Sequence, residues 1–292
     1  MNAPSRTDPA PEMPVFDRAF MARIELLGAQ MVRLCYFGGC DTFGSPTELG
    51  PVYGLLAEKG SRLTFVFVKD SEKRSVADLV RDYSESGLGS QPVTRVDWWI
   101  GSSTDAAAKT RIAQQLSEMG FEKQTPSMWD LAADPNSLSR ASQLEPLKAV
   151  FSEVTDEAGL HDRWTCIARA RNWPDELVAG AIKGERSVAY GPSANIRYFV
   201  IRNSGDTSVV DATAGISFLE GSAYIFLVSI VPERKADALA LSSALVWHAV
   251  QIAKLRSIKV VGLDTMDEAE KTVYESMGFV TVPNIDGYIL KF

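Results

Sequence analysis

The sequence predicts an α/β chain, of the α+β kind, built from two tandem copies of one fold. Three observations predict it. Thr272-Val273-Tyr274-Glu275-Ser276-Met277-Gly278-Phe279 closes a helix near the end of the chain, and a near-copy, Gln115-Leu116-Ser117-Glu118-Met119-Gly120-Phe121, lies about 160 residues earlier, which is the signature of an internal repeat. Short apolar runs alternate with helical periodicity through both halves. The length, 292 residues, is long for one domain and comfortable for two of about 140 to 150. The copies differ where Tyr274 stands in one and Leu116 in the other. A phenol can give up a proton and an isobutyl group cannot, so chemistry is expected in the second copy and scaffold in the first.

Residues 1–13 are Pro-rich and polar and read as a disordered tail. Phe16, Phe20, Ile24, Leu27, Met31 and Leu34 recur at helical spacing, giving an amphipathic helix over 14–36. Residues 37–51 are rich in Gly, Pro, Ser and Thr and read as a loop. The runs 52–57 and 63–69 flank Glu58-Lys59-Gly60-Ser61 and make a hairpin. Val76, Leu79, Val80 and Tyr83 mark the next helix, stopped by Gly87, Gly89 and Pro92. A strand over 94–100 contains Trp98 and Trp99, of which alternation lets only one enter its own core. Ser103 or Thr104 is expected to cap the helix that ends at Gly120. Residues 127–131 form a closing strand, and the small, polar stretch 132–142 holds the domain boundary. The two units are thus expected over 14–135 and 143–292.

The second half has a strand over 147–154, then two short helices over 156–171 and 174–183 parted at Trp173-Pro174. Two strands over 196–202 and 209–220 form a meander around Asn203-Ser204-Gly205-Asp206. The run 223–231 is continuously apolar, hence central and buried on both faces, and Pro232 ends it. A long helix over 236–255, a strand over 259–264, the helix 267–277 carrying Tyr274 and a last strand over 288–292 complete the unit.

Charge and composition narrow the function. The net charge is −7, with 14 basic against 18 acidic residues up to position 139 and 16 against 19 beyond it. Neither half carries the basic stripe of a large phosphate-backbone surface. Three cysteines (Cys35, Cys40, Cys166) and two histidines (His161, His248) are too few and too scattered for a zinc site. In a cytoplasmic protein Cys35 and Cys40 stay reduced. No run of eighteen apolar residues occurs, so no membrane span is expected.

The order of strand, two helices, three strands, helix, strand, helix and strand resembles the GNAT acyltransferase superfamily. Val231-Pro232-Glu233 at a strand end and the Tyr274-to-Phe279 ending carry the resemblance, closely over 145–292 and in reduced form over 50–131. It implies two tandem units, each a mixed, mostly antiparallel central sheet flanked by helices, with a degenerate first unit. It implies an N-acyltransferase that moves an acyl group, most simply acetyl from acetyl-CoA, to the amine of a small molecule. Backbone N–H groups of Val228, Ser229, Ile230 and Val231 would hold a pantetheine arm and a developing oxyanion. Tyr274 would protonate the leaving thiolate. The pyrophosphate would meet the helix after Pro232, near Arg234, Lys235, Ala240, Leu241 and Ser242, with Asp267 at the start of the last helix also facing the cofactor.

The sequence departs from the family at this phosphate loop. The matching frame is Asp237-Ala238-Leu239-Ala240-Leu241-Ser242, with Ala240 and Ser242 where glycines are usual and a carboxylate in place of a cation or amide. Candidates for the general base are Glu220 and Ser229, with His161 behind them; as structural rivals these are a turn residue, a sheet hydroxyl and a helix-surface residue. Trp164, Trp173 and Tyr190 suit either an aromatic acceptor wall or plain core packing, and His248 reads as packing. The first unit, with Asp70-Ser71-Glu72-Lys73 and Leu116, is expected to bind no cofactor and to cover an edge of the second sheet or wall the acceptor pocket. Two rivals remain: a GNAT-like transferase whose donor is a carrier protein or, against the acidic charge, an aminoacyl-tRNA; and a non-catalytic module that binds acyl-CoA or another ligand.

Overall fold

Two sheets carry the fold, and each holds one strand that chain order would give to the other. The computed structural model describes residues 42–43, 54–57, 62–66, 74–84, 94–101, 103–125, 128–141, 150–173, 178–179, 181–182, 185–186, 189–219, 221–282 and 285–292. The helix expected over 14–36, Cys35, Cys40 and Glu220 lie outside them.

The first half contributes strands β1 (Thr42–Phe43), β2 (Gly54–Ala57) and β3 (Arg62–Val66), helix α1 (Val76–Ser84), strand β4 (Arg95–Ile100), helix α2 (Ala106–Glu118) and strands β5 (Glu122–Lys123) and β6 (Trp129–Ala133). The hairpin pairing of β2 with β3 is present. β3 runs parallel to β4 from Arg62↔Arg95 to Val66↔Trp99, along its whole length. Trp98 enters the core with Leu79, Ile112 and Leu116, while Trp99 points the other way and is partly exposed. The α2 cap is neither Ser103 nor Thr104. Asp105 directly precedes the helix in an extended conformation, and its carboxylate accepts from the N–H groups of Ala107 (2.9 Å) and Ala108 (3.3 Å).

The second half contributes β7 (Val150–Glu153), α3 (Glu157–Arg171), β8 (Ile196–Arg202), β9 (Val210–Leu219), β10 (Ser222–Ile230), α4 (Ala238–Leu255), β11 (Val260–Thr265), α5 (Glu268–Met277), β12 (Val280–Thr281) and β13 (Asp286–Lys291). The first sheet has the order β1-β2-β3-β4-β13-β5 and the second β12-β6-β11-β10-β9-β8-β7. Both are mixed and mostly antiparallel, the parallel pairs being β3 with β4 and β10 with β11. α4 and α5 pack on one face of the second sheet around Leu241, Leu245, Val246 and Met277. α3 packs on the other through Leu160, Trp164 and Ile167. Pro232–Leu255 is long and apolar enough to cross a membrane by length and composition. Its apolar face, however, forms the centre of this core.

The two closing strands change places, which corrects the sequence expectation. β6 lies against β11 from Val261↔Ala133 to Thr265↔Trp129, and β13 lies against β4 from Asp286↔Ile100 to Lys291↔Arg95. Each copy therefore closes the other's sheet. The exchange cuts across the bounds 14–135 and 143–292. The boundary stretch 132–142 is also packed rather than loose: Leu138 and Ala141 are buried in the core of the second sheet, and the Ser139 N–H donates to the Met277 carbonyl at 2.9 Å. A two-residue alternation says which face a strand buries but not which neighbour it takes.

Candidate active site

The second sheet comes apart at its centre. β10 is paired with β11 only from Ser222↔Val260 to Ile225↔Leu263, then runs on to Ile230 without it. A bulge causes the divergence. Between Phe226↔Gly215 and Ser229↔Thr213, Leu227 and Val228 of β10 face the single residue Ala214 of β9, and Leu227 takes a left-handed φ of 49°. An extra residue bends and twists a strand away from its neighbour. Gly215 makes room at the bend: a Cβ there would meet the tip of the Phe226 ring at 2.4 Å, so the ring's position requires glycine.

Backbone direction past the bulge follows from one bond. The Val231 N–H donates to the Asp211 carbonyl on the β9 side at 3.0 Å. Alternation then turns the Ser229 N–H to β9 and the Ile230 N–H to the side that β11 has left. Of the four backbone donors expected to hold the arm, Ile230 has this orientation, whereas Ser229 and Val231 face β9. Val231 is also buried on the α3 side of the sheet.

Side chains converge on the gap from four elements. Asp264 lies on β11 one residue past the last pair, and the Tyr224 hydroxyl from β10 donates to its carboxylate. The Arg171 Nε, at the end of α3, lies 3.5 Å from the Ser229 hydroxyl oxygen. Glu270 on α5 accepts from the Thr265 hydroxyl at 2.7 Å. Burial pushes the Asp264 carboxyl above its ordinary value, against the opposing pull of Tyr224 and then of the Arg171 charge. Glu270 is raised as well, again by burial first. Sequence reasoning missed Tyr224, Asp264, Arg171 and Glu270. A carboxylate in the otherwise apolar run Val260-Val261-Gly262-Leu263-Asp264 was the signal, because a charge inside a strand is unfavourable unless it has a partner.

Tyr274 lies in the core between α4, α5 and the second sheet and is closed off from solvent, with 1% of its surface exposed. Its ring packs edge-on to Phe279 at 6.3 Å. Its hydroxyl shares a hydrogen bond with Ser242. The Ser242 hydroxyl also donates to the Leu239 carbonyl at 3.2 Å, and its influence on the phenol is to lower the pKa against the larger effect of burial. Burial, then the nearby Glu270 charge, raises the Tyr274 pKa, so the phenol is protonated at neutral pH but gives up its proton reluctantly.

The phosphate end differs from the sequence frame. A 3-10 turn over Pro232–Asp237 runs straight into α4. Leu241 and Ser242 lie far enough inside α4 for its own carbonyls to take their N–H groups, and both side chains are buried. Ala240 is the last residue of the first turn. Arg234 bonds to Asp211 and, at 2.8 and 3.0 Å, to Asp237. The adverse Asp237 charge is thus met within the protein, and Lys235 is the exposed cation. Asp267 caps α5 by accepting from the N–H groups of Ala269 (2.8 Å) and Glu270 (3.1 Å). The parted strands leave a backbone donor that a thioester arm would need, but the turn and the start of α4 hold no glycine cradle for a diphosphate.

Most of the remaining candidates sit in packed positions. Trp164 is fully buried and donates to Glu185 at 2.7 Å, beside a buried ion pair of Arg163 with the same carboxylate at 3.0 Å. Trp173 stacks on Trp164, and Tyr190 lies against Tyr198. His248 is wedged between Phe151 and Phe199, each at 4.8 Å. His161 is exposed on α3. The Cys166 thiol is buried beside the Ser229 carbonyl, and burial pushes its pKa up to about 12, which disfavours the thiolate. No metal-holding cluster occurs among the described residues.

No protein-family model matches the sequence, and no curated protein matches it. Solved structures do match in shape. A GCN5-related N-acetyltransferase from Kribbella flavida superposes with a TM-score of 0.57 at 15% identity, over 94% of this chain and 95% of that one. A tandem GNAT protein from the clavulanic acid biosynthesis pathway gives 0.57 at 10% identity, over 83% and 78%. A GCN5-related N-acetyltransferase from Sphaerobacter thermophilus gives 0.52 at 13%, over 82% and 76%. At these identities the likeness is one of fold. The chain has the fold of the GNAT N-acetyltransferases, in a tandem arrangement.

Proposed function

We propose that the chain is an N-acyltransferase that works in its second unit, moving an acyl group from a pantetheine thioester to the amine of a small molecule. The parting of β10 from β11 carries this reading, because it opens a slot with a backbone donor at Ile230 in the middle of a sheet. Preorganised N–H groups stabilise negative charge on an acyl oxygen better than water does. The open side of β10 around Val228 and Ile230 would hold the arm, and Lys235 with the Ala240 N–H would meet the phosphates. The bound thioester supplies an activated acyl carbon. Tyr274, protonated at neutral pH and electrostatically coupled to Asp264 and Glu270, is the acid for the departing sulfur. A cytoplasmic setting, where Cys166 stays a thiol, accords with this.

The test is acetyl-CoA with a panel of amines, read as thiol released and amide formed. Wild type should turn over, and Tyr274→Phe should be slower severalfold or more. Turnover unchanged in Tyr274→Phe would remove that residue from the mechanism. Stabilisation by acetyl-CoA without turnover on any amine would leave a binding module instead.

A second reading keeps the chemistry and changes the carrier. The Arg234–Asp237 pair and the missing glycines favour an acyl group delivered on a carrier protein's pantetheine arm. Calorimetric titration with coenzyme A separates the two: micromolar binding supports the free cofactor, and none supports the tethered donor.

A further inference from the structure

We propose that Asp264 is the base that takes the proton of the acceptor amine and that Tyr224 positions it, an assignment that rests on the acyltransferase reading. Asp264 stands where β11 leaves β10, at the mouth of the slot, one residue beyond the Ile225↔Leu263 pair. It is partly exposed, so an acceptor can reach it. The Tyr224 hydroxyl bonds to one carboxylate oxygen, fixing the group and leaving lone pairs on the other. The charged and titratable groups facing it are Tyr224 from β10, Arg171 from α3, and Glu270 and Tyr274 from α5. The Arg171 charge keeps a usable carboxylate in a setting that is enclosed on the protein side and open only at the mouth, and that enclosure keeps the carboxylate basic.

The proton balance is complete with these groups. An amine arrives as an ammonium ion, and the Asp264 carboxylate accepts one of its protons. The freed nitrogen bonds to the acyl carbon as the carbon–sulfur bond breaks. Tyr274 gives its proton to sulfur, and the second proton shed by nitrogen restores the phenol, giving amide and thiol. Asp264 then returns its proton to water. No oxidant, reductant or further reactant is needed.

The experiment follows acyl transfer from acetyl-CoA to an amine that wild type accepts, as kcat/KM against pH, in wild type, Asp264→Asn, Asp264→Glu and Tyr224→Phe. A carboxyl titration by NMR runs alongside it on the protein without donor. The proposal expects an acidic limb in wild type and a carboxyl that titrates above ordinary aspartate. Asp264→Asn should lose the limb and about 100-fold or more in kcat/KM, and Asp264→Glu should recover part of it. Tyr224→Phe removes a bond that lowers the carboxyl pKa, so it should move the limb and the NMR titration upward together. If Asp264→Asn fails to fold, this paired upward shift decides alone: its presence supports the proposal and its absence overturns it. Transfer by Asp264→Asn at the wild-type rate, with the limb intact, overturns the role of Asp264 and leaves the acyltransferase reading standing. Wild type that acylates no amine, either from acetyl-CoA or from an acyl group on a carrier protein's pantetheine arm, ends the reading and the role with it.

Discussion

The two halves end their last helices in the same way and open their sheets differently. α2 stops at Gly120 with φ 85° and α5 at Gly278 with φ 104°. In both, the phenylalanine that follows donates back across the turn, Phe121 to the Leu116 carbonyl at 3.0 Å and Phe279 to the Tyr274 carbonyl at 3.1 Å. Leu116 and Tyr274 thus hold equivalent positions, both buried. The sheets do not correspond so closely. β3 stays paired to β4 along its whole length, whereas β10 leaves β11 at Ile225. A shared scaffold was kept in both copies; the bulge, the slot and the phenol belong to one. The lesson is that chemistry here depends on a local defect in strand pairing, which the closed copy lacks among its described residues.

The largest effect should come from separating the halves. Residues 143–292 expressed alone lack β6, so β11 would present an unpaired edge next to the slot. The fragment should aggregate or lack a cooperative thermal transition; a monomer that melts cooperatively like the full chain would show that the exchange is dispensable. Next comes Leu116→Ala, which empties a fully buried site and should destabilise by about 2–5 kcal/mol in denaturant unfolding. Tyr274→Phe at the matching position should shift stability by about 1 kcal/mol or less, while slowing acyl transfer. Equal stability losses at the two positions would erase the contrast between scaffold and chemistry.

Gly215→Ala probes the bend itself. The added Cβ must displace the Phe226 ring, at a stability loss of about 1–3 kcal/mol, and acyl transfer should fall with it as the slot changes shape. A stable, fully active Gly215→Ala would separate the bulge from function. The smallest effect is on pH dependence. The Asp264 pKa is raised in the fold, so the folded protein holds this proton where the unfolded chain has lost it. The contribution is present below the unfolded carboxyl value and is lost as pH rises through the folded one. Wild type should therefore lose stability relative to Asp264→Asn across that window, as seen in thermal midpoints at a series of pH values. A difference that is flat with pH would deny the raised value.

Much of this architecture was legible in the chain. The strand over 196–202 and the helix over 156–171 match β8 and α3 with its Asp156 cap, because alternation and capping are local signals. Strand partners are not local. Nothing in the sequence of β6 or β13 says that each closes the other copy's sheet. The slot was legible only through the resemblance, since Leu227, which takes the left-handed turn, looks like any apolar strand residue. Asp264 and Tyr224 were passed over because their meaning depends on where β11 stops being paired.

Backbone hydrogen exchange with and without acetyl-CoA tests the central claim most directly. The account predicts new protection at the Ile230 amide and its neighbours on the open side of β10, with none along Thr64, Phe65 and Val66 of β3. Unchanged exchange at Ile230 while acetyl-CoA is bound, or equal protection of the two strands, would contradict it.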